Sequence, residues 1–372
     1  MKRNNIITSV TFCVLILALT VASMVNPVKD YSETENRNLA QAPKFSFDAL
    51  FNGSYTLDYE EFITDQFVAR DSWITLKTYA ERLLGKKDSG GVYFGKDGYL
   101  IEKHEVEEDR LESNLTFLED FLNKTKDYNT KVLIAPTASL ILSDKLPVFA
   151  PVWDQSALLD RVAALGNFVD CRDVLNEHKD EYLYYRADHH WTTLGAYYAY
   201  TELCAALEIE AYAYEDFNKR ILSDKFVGTL AAKVNTESEP DEIFTLEPNV
   251  TVSVNYNMGM KITDTLYEES YLAKRDKYSA FLDGNQPLVD ITTSVKNEKT
   301  LLLVKDSYSH CMVPMLTAHY ERIILIDLRA FNMGVVTYLS QLEAKDQGVD
   351  DIVVLYNAEN FTEDRNMVKF GM

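Results

Sequence analysis

Cysteine is scarce in this chain, with 4 in 372 residues, and that is too few for the framework of a disulfide-built domain. Basic residues are also in deficit, 37 Lys and Arg against 58 Asp and Glu, for a formal charge of −21. A surface that tracks a phosphate backbone needs the opposite sign, so the balance excludes a nucleic-acid binder. The three basic residues of the first 29 positions, Lys2, Arg3 and Lys29, face no acid; without them the imbalance deepens to 34 − 58 = −24. No repeat or low-complexity tract is present, and hydrophobic residues make up 47% of the chain. With 23 Tyr, 18 Phe and 3 Trp it can bury enough surface to offset its ordering entropy, which excludes a disordered chain. The length allows one large domain or two ordinary ones.

What is present begins at the N-terminus. Residues 1–5 carry Lys2 and Arg3, and Ile6 to Val25 then runs without a charge. Twenty residues at 1.5 Å each match the roughly 30 Å of a bilayer core. Lys2 and Arg3 hold that end in the cytoplasm, so residues 1–5 are a cytoplasmic tail, 6–25 a transmembrane anchor, and the rest extracytoplasmic. The competing reading is a signal peptide cut near Ala22 and Ser23, leaving a secreted protein. The apolar run exceeds an h-region of about 7–15 residues, which favours the anchor. Cys13 lies in mid-span without a lipidation context, and Cys171, Cys204 and Cys311 read as buried small hydrophobes. Residues 26–56 read as a linker and 57–372 as the folded domain.

Leu57 to Leu84 has helical spacing, Gly90 to Ile101 reads as a hairpin around Lys-Asp-Gly, and Glu105 to Lys126 is an amphipathic helix. Five short apolar runs follow, each ending in polar residues: Lys131–Ala135, Phe168–Val169, Leu301–Val304, Ile323–Ile326 and Ile352–Leu355. Such runs, separated by helical segments, predict an α/β fold with a parallel sheet buried on both faces. Sites in these folds lie at the carboxyl ends of the strands. Between about residues 210 and 300 the texture changes to short β-like pieces such as Asn249–Asn255 amid acidic loops. That stretch reads as an insertion, carrying either substrate contacts or only solvated loops.

Two segments carry chemistry. In the first, Asp188-His189-His190-Trp191 precedes Thr192 and Thr193, either of which can cap the helix that follows. An imidazole there can serve as general base with a carboxylate two residues away orienting it. In the second, an apolar run ends in Lys305-Asp306-Ser307, the strand–turn–serine–helix setting that exposes a hydroxyl at a positive helix end. Each has a plainer reading. Asp-Ser before a helix is commonly just a cap, and adjacent histidines can ligate a metal. A zinc site needs further ligands, and His104, His178, His310 and His319 fall at no ligand-like spacing. His310 lies one helical turn beyond Ser307, a weaker base candidate than His190.

The string Asp188-His-His-Trp191-Thr-Thr-Leu-Gly195 resembles the signature of the DHHW family of bacterial exported proteins. Val304-Lys-Asp-Ser307-Tyr, with His319-Tyr320 and Ile326-Asp-Leu-Arg329, resembles that family's second signature. Phe62 to Arg70, Gly95 to Leu100, Phe226-Val-Gly-Thr229 and Phe281-Leu-Asp-Gly284-Asn285 extend the likeness over most of the chain. The family is similar in turn to the alginate O-acetyltransferase branch of the SGNH hydrolase superfamily. The resemblance implies an SGNH-hydrolase-like parallel sheet flanked by helices, with Ser307 as nucleophile, His190 as base and Asp188 orienting it. It also implies Asn285 as an oxyanion donor beside the Ser307 backbone N–H, with a plain turn asparagine as the alternative. Lys305 departs from the glycine that the acetyltransferases carry, and would narrow the pocket or pair with an acid. The order Asp-His before Ser reverses that of ordinary SGNH hydrolases. His189 is expected to be structural, Arg329 to hold a substrate carboxylate or to bridge Asp327, and Trp191 to offer a stacking face to sugar rings.

These readings predict a membrane-anchored, extracytoplasmic enzyme that transfers or removes O-acetyl groups on a cell-surface polysaccharide, needing no cofactor or metal. Family analogy adds a membrane-bound O-acyltransferase as partner. The alternatives are a non-catalytic glycan-binding scaffold of an envelope polysaccharide complex and a metal-dependent hydrolase on Asp188, His189 and His190.

Overall fold

A computed structural model of the chain describes residues 2–32 and 37–372. They divide into two compact units, Met1–Gly90 with Ala232–Glu237, and Gly91–Ala231 with Ser238–Met372.

The first unit is helical. The apolar segment forms a helix over Lys2–Val25. Two short strands, Tyr31–Ser32 and Arg37–Asn38, follow. The helical spacing of residues 57–84 resolves into Ser54–Asp65 and Arg70–Leu83, broken at Ala69, whose φ of 54° is left-handed.

The second unit is built on a seven-stranded sheet. In chain order its strands are β1 Asn129–Ala135, β2 Val252–Tyr256, β3 Lys261–Thr263, β4 Leu288–Thr293, β5 Thr300–Lys305, β6 Arg322–Ile326 and β7 Asp351–Asn357. Across the sheet they run β3-β2-β4-β6-β5-β7-β1. The pairs β6·β5, β5·β7 and β7·β1 are parallel, whereas β4·β6, β4·β2 and β2·β3 are antiparallel. The α/β class and the parallel core flanked by helices are as expected, and the sheet as a whole is mixed. Its antiparallel half comes entirely from the insertion, which extends the sheet and also forms a separate ribbon of Asn218–Phe226 with Asp241–Glu247.

The continuous apolar runs have a simple cause: both faces of the sheet are covered. Leu133, Leu301, Leu303, Ile323, Leu325, Val353 and Leu355 point to a cluster shared with Ala196, Ala199, Tyr200 and Leu203 of the helix Thr193–Ala206. The alternate residues Val132, Leu302, Val304, Ile324, Ile352 and Val354 point to a second cluster. That cluster is shared with Leu111, Leu115, Leu118 and Phe121 of the helix Glu108–Lys124. Phe168–Val169 is reduced to one parallel bridge, Val132 to Phe168, because Asp170 already turns the chain. The helix expected after Ser307 is a 3-10 turn, Ser307–Cys311, followed by one helical turn, Val313–Leu316. The Thr317 hydroxyl donates to the carbonyl of Pro314 and closes that turn. Cys171, Cys204 and Cys311 are free and buried.

Candidate active site

The carboxyl end of β5 sets the site. Asp306 stops the strand in extended conformation, and its buried carboxylate is held by four N–H donors. Oδ1 accepts from the Tyr308 backbone at 2.8 Å, and Oδ2 from the Asn357 backbone and side chain at 2.8 Å and from Asn360 Nδ2 at 2.9 Å. Burial pushes this carboxyl upward, while the donors from Asn357 and Asn360 work against that. The next residue, Ser307, is thereby turned out at the sheet's rim and is half-buried. Its backbone N–H makes no hydrogen bond among the described residues.

The Asp-His-His segment is held by its own turn. Tyr184 and Trp191 form an antiparallel bridge, the Tyr185 N–H donates to the His190 carbonyl at 3.2 Å, and Thr192 caps the helix that follows. Two cross-ties dock it on the serine segment: Trp191 Nε1 donates to the Tyr308 carbonyl at 2.8 Å, and the Tyr308 hydroxyl donates to the His189 carbonyl.

The three residues expected to act together stand in series. Ser307 Oγ is 2.8 Å from His190 Nε2, and His190 Nδ1 is 2.5 Å from Asp188 Oδ1. Asp188 Oδ2 accepts from the Thr229 backbone at 2.8 Å and from its hydroxyl at 3.0 Å. Burial alone would raise the Asp188 carboxyl; the histidine charges and these hydrogen bonds outweigh it and hold the group well below the usual range. A carboxylate on Nδ1 fixes the tautomer with the proton there, leaving Nε2 to accept from the serine hydroxyl. The Tyr278 ring stacks on the His190 ring at 4.0 Å and 19°, and its hydroxyl donates to the Ser307 carbonyl at 3.2 Å. Stacking and carboxylate together leave the imidazole one orientation.

The other candidates are placed differently. His189 hydrogen-bonds Thr229 Oγ1 at 2.8 Å, a contact within the scaffold of the turn. Trp191 is a correction: it is fully buried with its indole N–H on Tyr308, so it presents no face to a sugar and instead holds the serine segment in place. Arg329 forks onto Asp327 at 2.8 and 2.5 Å. Asn285 is exposed and makes no hydrogen bond among the described residues. Lys305 is buried, 3.6 Å from Asp327 and 2.7 Å from His310 Nε2, so it pairs with an acid below the rim. Asp188, His189 and His190 offer donor atoms within 4.8 Å of one another. Both ring nitrogens of His190 and both oxygens of Asp188 are already engaged by Ser307, Thr229 and each other.

Gly228, Thr229, Tyr278 and Asn357 were not foreseen in these positions, whereas Asp306 caps the turn after it, as an Asp-Ser step commonly does. Only the Val-Gly-Thr string at 227–229 carried a signal, and it named no role.

Comparison with known proteins agrees with this architecture. Residues 161–326 match the model of the DHHW protein family. The DHHW likeness read from the motifs is thereby shown, over the region that holds both segments of the site. No curated protein matches the chain. Among solved structures, a DHHW family protein from Eubacterium siraeum superposes with a TM-score of 0.63 at 23% identity, covering 76% of this chain and 95% of its own. Two structures of Bacillus cereus PatB1, one with a sulfonyl adduct, give TM-scores of 0.60 and 0.59 at 18% identity, covering 74% of this chain and 97% of theirs. At these identities the likeness speaks for the fold.

Proposed function

We propose that this DHHW chain is a membrane-anchored, extracytoplasmic serine acyltransferase or esterase acting on O-acetyl groups of a cell-surface polysaccharide. The observation that carries it is the hydrogen-bonded series of Ser307, His190 and Asp188 at the carboxyl end of a parallel strand. His190 Nε2 takes the proton as Ser307 Oγ attacks the carbonyl carbon of the acyl donor. The oxygen that becomes negative is met by the free Ser307 N–H, and Asp188 stabilises the imidazolium. His190 then protonates the departing group, leaving an acyl-serine. The second half runs in reverse, with His190 taking a proton from a sugar hydroxyl or water that attacks the acyl carbon. The DHHW resemblance supports the polysaccharide substrate and a membrane-bound O-acyltransferase as acyl source; the apolar N-terminal helix supports the anchor.

PatB1 has been obtained with a sulfonyl adduct, which suggests the probe. A sulfonyl fluoride should attach one sulfonyl group to the full-length chain, on Ser307, with loss of fluoride. Hydrolysis of an activated acetyl ester should fall about 10³-fold or more in Ser307→Ala. Labelling elsewhere with activity intact in that variant removes the serine mechanism. Loss of activity on adding a chelator turns the reading toward metal. Neither labelling nor turnover leaves the glycan-binding scaffold.

A further inference from the structure

The helix Arg70–Leu83 is inverted for a water-soluble surface. Thr78 is 1% exposed and within 3.4 Å of the Ser89 hydroxyl, and Thr75 Oγ1 accepts from Asn235 Nδ2 at 2.6 Å, so its packed face is polar. The face left open carries Trp73, Leu76, Tyr79 and Leu83, which are 44%, 59%, 48% and 90% exposed. Steps of three, three and four residues place these side chains in one stripe. An exposed apolar stripe of this length marks a surface that something covers.

What covers it follows from where the helix starts. The Val68 N–H donates to Ser23 Oγ at 3.3 Å, and Asn26 Nδ2 donates to the Gln66 carbonyl at 3.4 Å. Gln66 also bonds Lys29 twice, at 2.9 and 3.0 Å. Ser23 and Asn26 lie at the carboxyl end of the apolar segment Asn4–Val25, whose 22 residues are long enough to cross a membrane. At 1.5 Å per residue that segment spans roughly 33 Å, so its end stands at the outer edge of the hydrocarbon. The chain segment leading into Arg70 is tied to that end. The stripe has the composition of an interfacial element, a tryptophan and a tyrosine among leucines. Its charges nearly balance, Arg70, Lys77 and Arg82 against Asp71 and Glu81, so apolar burial, not attraction to anionic lipid, is the driving term.

We propose that Trp73, Leu76, Tyr79 and Leu83 lie in the headgroup region of the outer leaflet, making this helix a second, monotopic contact with the bilayer that the N-terminal helix spans. The proposal rests on the anchor reading. It commits to lipid over a second copy of the chain or another protein.

The test reconstitutes the full-length chain into phosphatidylcholine vesicles carrying a lipid brominated near the headgroup end of its acyl chain. Trp73→Phe isolates the emission of Trp73 from that of Trp153 and Trp191. That emission should be quenched ~2-fold or more, and molar salt should not relieve it. Leu76→Glu with Leu83→Glu, on exposed positions that leave the fold intact by circular dichroism, should abolish the quenching while the chain still floats with the vesicles. Trp73 unquenched in a floating chain overturns the proposal with the anchor standing. A chain that does not float overturns both. Disulfide linking of two Leu83→Cys chains with Trp73 unquenched assigns the stripe to a second copy instead.

Discussion

Gly228 shows how a single missing atom shapes the site. A Cβ placed there would lie 2.3 Å from Asp188 Cβ and Oδ2, inside any real contact, so the backbone approaches the carboxylate this closely only as glycine. The adjacent Thr229 then gives Asp188 both its N–H and its hydroxyl. In Gly228→Ala the carboxylate must move off His190, and kcat for ester hydrolysis should fall about 10²-fold with KM nearly unchanged. Stopped-flow and steady-state rates check this; a variant within threefold of wild type removes the cradle from the mechanism. Asp188, His190 and Ser307 were legible because reactive residue types stood together in short strings at the polar ends of apolar runs. Gly228 and Thr229 were not, since a close backbone approach some 40 positions away leaves no chemical mark. Trp191 was misjudged for a related reason: an aromatic beside a reactive string packs inward or outward with the same one-dimensional pattern, and its indole N–H found a buried carbonyl.

The strands flanking the site were legible where both faces are buried, because nothing interrupts the apolar run: β1, β5, β6 and β7 fall where the runs do. The antiparallel strands β2, β3 and β4 were not assigned to the sheet. Polar, partly exposed residues such as Asn255 and Asp290 break their pattern, and their partners are set by tertiary pairing. The insertion thus acquires a structural part, and through Tyr278 it also reaches the site. Tyr278→Phe keeps the ring on His190 and loses the hydroxyl's bonds to the Ser307 carbonyl and the Cys311 thiol, so activity should stay within about threefold; Tyr278→Leu removes the stack and should lower kcat about 10-fold or more. Equal effects of the two variants, measured as kcat on an acetyl ester, would assign the role to the hydroxyl and not the ring.

At the scale of the whole folded unit, the acidic surplus sits largely in solvent, while a few charges are buried under the rim and tie stability to pH. Burial, opposed by Asp327, brings the Lys305 ammonium down to about 8. In the unfolded chain a lysine holds its proton to about 10.4. Between these values the unfolded chain binds one more proton than the folded one, so stability contributed at this position rises with pH across that window and is lost as pH falls through 8. The full swing is on the order of 3 kcal/mol. Tyr184, Tyr185, Tyr278, Tyr308 and Tyr356, which burial pushes far upward, act in the opposite direction above pH 10. Lys305→Met removes only the lysine, so the comparison that isolates it is wild type minus variant in denaturant titrations of the full chain, followed by far-ultraviolet circular dichroism. That difference should shift toward wild type by a few kcal/mol from pH 8 to 10.4 and stay level from pH 6 to 7. His310, which burial first and the Lys305 charge second hold far below its usual range, stays neutral when folded, so the proton its unfolded form takes up near about pH 6.5 is common to both chains and cancels in the difference. A difference that stays level through pH 10.4 means that Lys305 keeps its proton throughout, with Asp327 balancing its charge fully in place of the neutral amine.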